Sequence, residues 1–313
     1  MNLALPPGSR KPLREHQVQA VRAGCAELAV ASRAQVIMAC GTGKTYVGAE
    51  VAAELDARTI LVVVPTLELL AQTAAAHAGQ GTAGRLVAIC SDIDALAHAD
   101  EVAEMARAVT GLAGKVSTSP AALAAWLSEP GRVTMFVTYA SLPVVVAAHR
   151  DHFAQEWDLA VIDEAHRAAG RTDRTWNVIN DDAAIPARHR LYMTATPRVM
   201  NSKRFETTSM DDPGVFGRQA YRLSFAEAID KKLIAPYRMV VSVVTDDEVY
   251  ALTGAEDSVL EVDSHPVPAP MLAAQIALLR ACHEFNLHRV ISYHHRVISA
   301  SGSPLASRER ATC

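Results

Sequence analysis

Hydrophobic and polar positions follow two different patterns in the first part of the chain. Residues 13–31, LREHQVQAVRAGCAELAVA, have apolar positions three and four apart, which predicts an amphipathic helix. QVIMA (35–39) and RTILVVVP (58–65) are instead short, unbroken apolar runs. Runs of this kind, bounded by turn residues, predict strands that are buried on both faces of a sheet.

Helical patterns separate these runs. KTYVGAEVAAELD follows the first predicted strand, and TLELLAQTAAAHA follows the second, with Thr66 as the expected N-cap. Alternating strands and helices predict an α/β fold, a mostly parallel sheet with helices on both faces. Further strands are predicted at 85–90, 132–139, 159–163 and 189–195, and the alanine-rich segment at about 94–127 is predicted to form outer helices.

The pattern changes near residue 245. We predict one domain over 1–244, then an acidic, proline-rich linker over 245–270. Residues 271–298 predict one helix, PMLAAQIALLRACHEF, and one strand, HRVISYHH. A helix and a strand cannot form a core of their own. The serine-rich end, 299–313, is expected to be disordered.

Composition narrows the class of protein. The 313 residues are 50% hydrophobic and 20% charged, which excludes a wholly disordered chain. A net charge of −4 gives no overall attraction to nucleic acid, so such binding would need a local groove. The five cysteines show no CxxC spacing, and no apolar run approaches the ~20 residues that span a bilayer. We expect a soluble, cytoplasmic protein without a membrane segment.

The stretch ACGTGKT, between a predicted strand and a predicted helix, has the chemistry of a phosphate-binding loop. Its glycines let backbone N–H groups approach phosphate oxygens, and the helix points its positive end at the same anion. Lys44 is expected to reach the β- and γ-phosphates, and the Thr45 hydroxyl to bind Mg²⁺. Met38 stands where the general motif has a glycine, and a chance glycine turn is the alternative. The predicted nucleotide-binding residues of the loop are Cys40, Gly41, Thr42, Gly43, Lys44 and Thr45.

A second buried strand, LAVIDEAH, ends in two carboxylates. Asp163 is expected to hold Mg²⁺, directly or through water. Glu164 is expected to orient and deprotonate the attacking water as general base. Alternatively, both residues only cap the helix predicted to follow them.

The phosphate loop and DEAH together resemble superfamily 2 helicases of the DEAD/DEAH-box kind, and most closely the helicase (Res) subunit of type III restriction enzymes. In that family the loop commonly lacks its first glycine, so Met38 is no obstacle. LREHQ resembles the segment whose glutamine reads adenine, which indicates Gln17. His166 resembles the residue that bridges to the coupling motif. A surface position for Gln17 and a plain polar helix residue for His166 are the alternatives.

Three more segments carry the resemblance, which runs over about residues 12–245. VPTLELLAQT and VTYASL (137–142) resemble motifs Ia and Ib, which touch the nucleic-acid backbone. They implicate Pro65, Thr66 and Thr138, although Thr66 could be only a helix cap. YMTATP (192–197) resembles motif III, which couples the nucleotide site to nucleic acid. It implicates Thr194 and Thr196, which could also be ordinary hydroxyls at a strand end.

The resemblance implies a RecA-like P-loop NTPase that binds ATP and Mg²⁺ and moves on nucleic acid, with DNA favoured. Only 5% of the residues are aromatic, so contacts to backbone phosphates are more plausible than base reading. These motors use a second RecA-like domain that supplies arginines. HRVISYHHRVISA resembles its opening strand, but no arginine motif follows. We therefore expect a truncated chain that hydrolyses ATP slowly alone, or a protein partner that completes the second domain.

Two function classes stay open at this point. One is an ATP-hydrolysing helicase or translocase. The other is a non-catalytic module or scaffold that binds ATP or ADP and DNA. A P-loop small-molecule kinase is disfavoured, because it would not explain DEAH followed by TATP.

Overall fold

A computed structural model of the protein describes residues 11–81, 84–89, 115–172, 175–200, 206–237, 240–241, 243–245, 247–248, 259–262, 265–287 and 290. The chain divides into two units, Met1–Ala235 and Pro236–Cys313. The domain boundaries expected from the sequence stay predictions. Within the described ranges, no helix is long and apolar enough to cross a membrane.

The first unit is built on an eight-stranded sheet in which every neighbouring pair is parallel. Its strands are β1 (Arg33–Met38), β2 (Thr59–Val64), β3 (Arg85–Ile89), β4 (Lys115–Ser117), β5 (Val133–Thr138), β6 (Trp157–Asp163), β8 (Ala187–Thr194) and β10 (Arg218–Leu223). Two short strands, β7 (Gly170–Arg171) and β9 (Thr207–Thr208), pair antiparallel. The order across the sheet is β10-β1-β8-β6-β2-β5-β3-β4. The predicted α/β fold with a mostly parallel sheet is confirmed.

Helices cover both faces of this sheet. They are α1 (Glu15–Leu28), α2 (Lys44–Glu54), α3 (Leu67–Gln80), α4 (Pro120–Ser128), α5 (Leu142–His152), α6 (Pro213–Phe216) and α7 (Phe225–Asp230). Among the described residues, 3₁₀ helices lie at Tyr139–Ser141, Ala165–Ala168 and Thr175–Asn180. Helix α3 begins at the N-cap Thr66, whose side chain accepts a hydrogen bond from the Leu69 N–H, as the sequence predicts.

Strand β2 shows why the strands read as unbroken apolar runs. Its residues Ile60, Val62 and Val64 pack into one buried cluster with α1, α2 and α3. Leu61 and Val63 point the other way, into the cluster that includes α4 and α5. Successive side chains of a strand face opposite sides of the sheet. A strand that is covered on both faces is therefore expected to be apolar at most of its positions.

The structure differs from the predicted elements in four places. Lys115–Ser117 is a strand, although the sequence predicts helix there, and most of the remaining 94–127 segment lies outside the described residues. Edge strand β10, RQAYRL, was not predicted because its outer face is polar and half-exposed. The helix expected after DEAH is a four-residue 3₁₀ turn. Finally, the segment predicted as a connection contains a hairpin of β11 (Val259–Val262) and β12 (His265–Pro268).

The second unit, as far as it is described, consists of this hairpin and helix α8 (Ala269–Glu284), which matches the predicted helix. Arg280 on α8 forms an ion pair with Glu248 at 2.9 Å. Large apolar side chains are exposed in this unit, among them Tyr237, Val241 and Leu279. The predicted strand HRVISYHH lies outside the described residues, except for Val290.

Candidate active site

The predicted site residues lie at the carboxyl edge of the sheet. All eight parallel strands end at this edge. The phosphate loop follows β1, and the neighbouring β8 pairs Thr194 with Ile37 of β1. Next comes β6, in which Asp163 pairs with Met193. Then β2, which leads into Pro65, and β5, which ends at Thr138, lie side by side. In parallel sheets ligands bind at this edge.

The phosphate loop depends on two glycines with left-handed backbone conformations, Gly41 at φ 78° and Gly43 at φ 87°. Thr42 is buried, and its hydroxyl donates to the Ala39 carbonyl at 2.6 Å. Lys44 opens α2 and is buried, with its Nζ donating to the Met38 carbonyl at 3.4 Å. Because a lysine ammonium carries three donors, this contact leaves it able to bind phosphate oxygens.

Gln17 is a buried residue of α1 rather than a surface one. Its Nε2 donates to the Thr42 carbonyl at 3.1 Å and lies 3.4 Å from the Gly43 carbonyl. Its Oε1 accepts from the Arg14 N–H at 2.8 Å. His16 Nε2 also lies 2.9 Å from the Thr42 carbonyl. Helix α1 therefore holds the phosphate loop from the side on which the resemblance expects the adenine.

A cavity opens beside this contact. It is lined by Lys11, Pro12, Leu13, Arg14, Gln17, Gly41, Thr42, Gly43 and Tyr46. The Lys11 ammonium lies 5.0 Å from the centre of the Tyr46 ring. Gln80, at the end of α3, binds the Lys11 backbone twice, accepting from its N–H at 3.0 Å and donating to its carbonyl at 3.4 Å. The segment that forms one cavity wall is thus anchored from a second helix.

Asp163 ends β6 with only 8% of its surface exposed. Burial, followed by the charge of Glu164, raises the pKa of the Asp163 carboxyl to about 6, although the Lys44 charge acts in the opposite direction. The same Lys44 charge helps to lower the pKa of Glu164. The phosphate loop and both carboxylates therefore share one electrostatic environment.

Glu164 sits in a left-handed conformation with φ and ψ both 48°. Its Oε2 lies 3.4 Å from His166 Nδ1 and accepts from the Thr194 hydroxyl at 3.4 Å. His166 Nδ1 is 3.0 Å from Thr194 Oγ1. The bond to His166 is the largest cause that lowers the pKa of Glu164, which keeps the carboxyl ionised. This arrangement brings the predicted coupling residues His166 and Thr194 onto the predicted base.

The capping alternative for the two carboxylates does not describe these contacts. Glu164 makes no side-chain hydrogen bond as cap of the Ala165–Ala168 turn. Asp163 Oδ1 accepts from the Glu164 N–H at 3.0 Å, so one of its oxygens has a partner within the turn.

Thr196, the second predicted coupling threonine, contacts the first. It donates its backbone N–H to Thr194 Oγ1 at 3.2 Å.

Oxygen donors suited to Mg²⁺ lie on both sides of the candidate site. The Thr45 hydroxyl, in the first turn of α2, and the Asp163 carboxylate are hard oxygen ligands of the kind that Mg²⁺ takes alongside phosphate oxygens and water. The donor set therefore fits the ion. Cys40, the first loop residue, is exposed.

The predicted nucleic-acid residues line the other half of the same edge. Pro65 and Thr66 follow β2 and are half-buried. Thr138 is buried, and its hydroxyl lies 2.9 Å from Ser141 Oγ. A nucleic-acid contact at Thr138 would thus involve the backbone more readily than the side chain.

Sequence reasoning missed two features, one at the site and one towards the opposite edge of the sheet. Tyr139, directly after Thr138, donates its hydroxyl to the Asp163 carbonyl at 2.9 Å. On β1 and β8, the buried guanidinium groups of Arg33 and Arg190 share the carboxylate of Asp182. Arg190 lies within the predicted strand 189–195 and Arg33 lies just ahead of the predicted strand 35–39, and the apolar pattern gave no reason to single out either.

Comparison with known proteins identifies the family. The family model of the type III restriction enzyme res subunit matches residues 10–199. The probable helicase A859L of African swine fever virus is 27% identical over 231 residues, 72% of this chain. The Type I restriction enzyme EcoAI endonuclease subunit of Escherichia coli is 33% identical over 84 residues, 27% of this chain and 9% of that protein.

Solved structures agree with this result. The Type ISP restriction-modification enzymes LlaBIII, bound to DNA, and LlaGI, in complex with a DNA substrate mimic, each match 71% of this chain at 25% identity, with TM-scores of 0.54 and 0.55. This chain spans 24% of the length of the viral helicase, and 16% and 18% of the LlaBIII and LlaGI chains. The chain belongs to the family of the type III restriction enzyme res subunit and is a superfamily 2 helicase domain.

Proposed function

We propose that this domain binds ATP with Mg²⁺ and hydrolyses it as the ATPase half of a DNA translocase or helicase. The observation that carries the proposal is that Lys44, after β1, lies close enough to Asp163 and Glu164, at the end of β6, for the lysine charge to act on both carboxylates. A lysine that binds phosphate and a carboxylate that holds a metal need this proximity to act on one triphosphate.

Each residue of the edge then has a role. The loop amides of Gly41 to Lys44 bind the phosphates, and Thr45 and Asp163 hold Mg²⁺. When bound, Mg²⁺ neutralises charge that develops on the transferred phosphoryl group. Glu164, kept ionised by His166 and Thr194, accepts a proton from the attacking water. Gln17 and the cavity beside it bind the adenine.

DNA is the proposed track, because the LlaBIII and LlaGI structures that resemble this chain contain DNA or a DNA substrate mimic. The track would lie along the β2 and β5 ends, at Pro65, Thr66 and Thr138. Binding through backbone phosphates should weaken steeply with salt. Location in the cytoplasm stays a prediction.

Turnover by this chain is expected to be slow unless further sequence or another polypeptide supplies the arginines. Arginine fingers are worth roughly 10³–10⁵ in rate in related phosphoryl-transfer enzymes. Stepping along a track also requires two domains that open and close in turn. We propose that a second RecA-like domain, in further sequence of the same protein or in a protein partner, completes the motor.

A nucleotide-binding and ATPase experiment tests the proposal. A fluorescent ADP analogue is titrated into the full chain with and without MgCl₂, and ATP turnover is measured with and without duplex DNA. We expect binding that Mg²⁺ tightens, and turnover that falls roughly 10²–10⁴-fold in Glu164→Gln. Lys44→Ala should abolish Mg²⁺-dependent binding. Absence of nucleotide binding by the wild type would reject the proposal.

The second candidate, a non-catalytic module that binds nucleotide and DNA, predicts a different result. It shares the binding of nucleotide, but Glu164→Gln would leave the residual turnover unchanged. The hydrogen bonds of Glu164 to His166 and Thr194 favour the catalytic candidate, because a carboxylate with no chemical role needs no such orientation.

A further inference from the structure

Tyr139 is the residue that joins the two halves of the carboxyl edge. It is 1% exposed and follows Thr138 at the end of β5. Its hydroxyl donates to the Asp163 carbonyl at 2.9 Å and lies 3.3 Å from the Glu164 carbonyl. The Tyr139 hydroxyl therefore contacts the backbone carbonyls of the two residues whose side chains are the proposed functional carboxylates.

The ring of Tyr139 is fixed by aromatic packing. Trp176, in the 3₁₀ helix Thr175–Asn180, lies 5.8 Å from it, centre to centre, with the rings tilted by 50°. The Arg167 guanidinium lies 5.4 Å from the centre of the Trp176 ring. Arg167 belongs to the same turn as His166, so Tyr139 contacts the start of this turn directly and its far side through Trp176.

This turn has a backbone conformation that needs support. Glu164 is left-handed at φ 48°, a conformation that is unfavourable in a residue other than glycine. Strand β6 ends at Asp163, and the next 3₁₀ turn begins only at Ala165. Burial is the largest cause that raises the pKa of Tyr139 well above its usual value, so the hydroxyl stays protonated and can donate.

We propose that Tyr139 is a positioning residue whose hydroxyl fixes the direction of the Asp163 and Glu164 side chains, and so tunes Mg²⁺ binding at the nucleotide site. The proposal rests on the proposed function. Nothing in the chemistry requires Tyr139 to touch nucleotide or metal, because it acts through two backbone carbonyls. It also ties the end of β5, where nucleic acid is expected, to the carboxylates.

Tyr139→Phe tests this inference, since it removes the hydroxyl and keeps the ring. The fluorescent ADP analogue is titrated into the wild type and the variant over a series of MgCl₂ concentrations. We expect the apparent Mg²⁺ affinity to fall roughly fivefold, the effect of one lost hydrogen bond, while binding without Mg²⁺ stays unchanged. Excess MgCl₂ should restore the wild-type affinity, which a damaged fold would not allow.

Tyr221→Phe is the matched control, because it removes a tyrosine hydroxyl from β10, beyond β1 and away from the carboxylates. It should leave Mg²⁺ dependence unchanged. An unchanged Mg²⁺ dependence in Tyr139→Phe overturns the inference and leaves the proposed function standing. If the wild type fails to bind the ADP analogue, the proposed function fails and the inference falls with it.

Should Tyr139→Phe not fold at 25 °C, as judged by thermal melting, Trp176→Leu replaces it. This change keeps the hydroxyl and loosens the ring that carries it. A smaller loss of Mg²⁺ affinity in the same direction supports the inference, and wild-type Mg²⁺ dependence in Trp176→Leu rejects it.

Discussion

The two edges of the parallel sheet differ in how their charged side chains are placed. At the amino edge, where the strands begin, these side chains have hydrogen-bonding or ionic partners. Asp158 Oδ2 accepts from the Arg58 and Thr59 N–H groups at 2.7 and 3.0 Å, and Arg132 binds Asp56 at 2.6 Å. At the carboxyl edge, Asp163 is buried with a raised pKa next to a second carboxylate.

Left-handed backbone conformations occur at both edges. Gly41, Gly43 and Glu164 adopt them at the candidate site, while Asp56 and Gly84 adopt them ahead of strands at the amino edge. The difference between the edges therefore lies in the arrangement of their charges. Sites that carry function commonly hold conformations and charges that cost stability, while the rest of the fold offsets that cost. The comparison indicates that stability is anchored at the amino edge and that the carboxyl edge is arranged for binding. Four substitutions test it.

Arg190→Met should have the largest effect on stability. Arg190 is fully buried, shares Asp182 with Arg33, and donates to the carbonyls of Ile179 and Ile185 at 2.9 and 2.5 Å. Loss of the guanidinium leaves buried carbonyls without a donor, so the free energy of unfolding should fall by about 3–5 kcal/mol in urea titrations.

The exposed neighbour Arg188 supplies the control for this change, because Arg188→Met removes the same charge from the same strand. It should shift stability by less than about 0.5 kcal/mol. Equal losses in the two variants would contradict the anchoring role of the buried network.

Asp163→Asn should stabilise the nucleotide-free protein. The folded pKa of about 6 exceeds the usual 3.8, so the folded state binds more protons between these values, and stability falls as pH rises through them. Asparagine removes the buried charge, which predicts a gain of about 2–3 kcal/mol at pH 7.5 that disappears below about pH 4. Urea titrations across this pH range measure it.

The amino edge should respond to the same substitution with the opposite sign. Asp158→Asn replaces a carboxylate that accepts hydrogen bonds from two backbone N–H groups with a neutral amide. These hydrogen bonds become weaker, so the free energy of unfolding at pH 7.5 should fall. A gain in both variants, or a loss in both, would remove the proposed difference between the edges.

Gly43→Ala should lower both stability and nucleotide affinity. At φ 87° an added methyl group costs roughly 1–2 kcal/mol, and its Cβ would lie 2.2 Å from Gln17 Nε2. Gln17 must then leave the loop carbonyls. Gly81→Ala is the matched control, since Gly81 has φ 71° with no atom within 4 Å of an added Cβ.

Thermal melts and titration of the fluorescent ADP analogue separate the two glycine variants. Both should lose stability, but only Gly43→Ala should lose nucleotide affinity. Wild-type affinity in Gly43→Ala would show that the contact of Gln17 with the loop does not matter for binding.

Asp56→Asn should have the smallest effect. Its side chain is 83% exposed, and ion pairs of such groups contribute at most about 0.5 kcal/mol once solvent and salt screen them. Asn also tolerates the left-handed backbone that Asp56 adopts at φ 48°. A loss well above 0.5 kcal/mol by urea titration would mean that the amino edge relies on its exposed pairs as well as its buried ones.

The apolar strands could be predicted from the sequence, because burial on both faces leaves mainly apolar residues in β2, β5 and β6 and in the second half of β1. Strand β10 could not, since RQAYRL has only one residue fully buried. The order of the strands also lay beyond the pattern, because pairing partners come from distant parts of the chain.

At the candidate site, the loop and the DEAH carboxylates could be predicted because short motifs encode them. Tyr139 could not, because one aromatic residue after an apolar strand reads as core. Its hydroxyl can reach the Asp163 carbonyl because only β2 separates β5 from β6 in the sheet, and this strand order could not be read from the sequence. The buried arginines were missed for a similar reason, since the carboxylate that they share lies in a loop far along the chain from Arg33.

The position of β1 in the sheet has a consequence for biosynthesis. This strand is made before both of its neighbours, which lie more than 150 residues further along the chain, with Arg33 paired to Arg190 and Ala34 to Arg218. One of its sides can pair once β8 has been made, but the two sides cannot both be covered until the chain has been made as far as Leu223. Exposed strand edges invite wrong pairing during synthesis, so the nascent chain carries its aggregation risk on the element that later supports the phosphate loop.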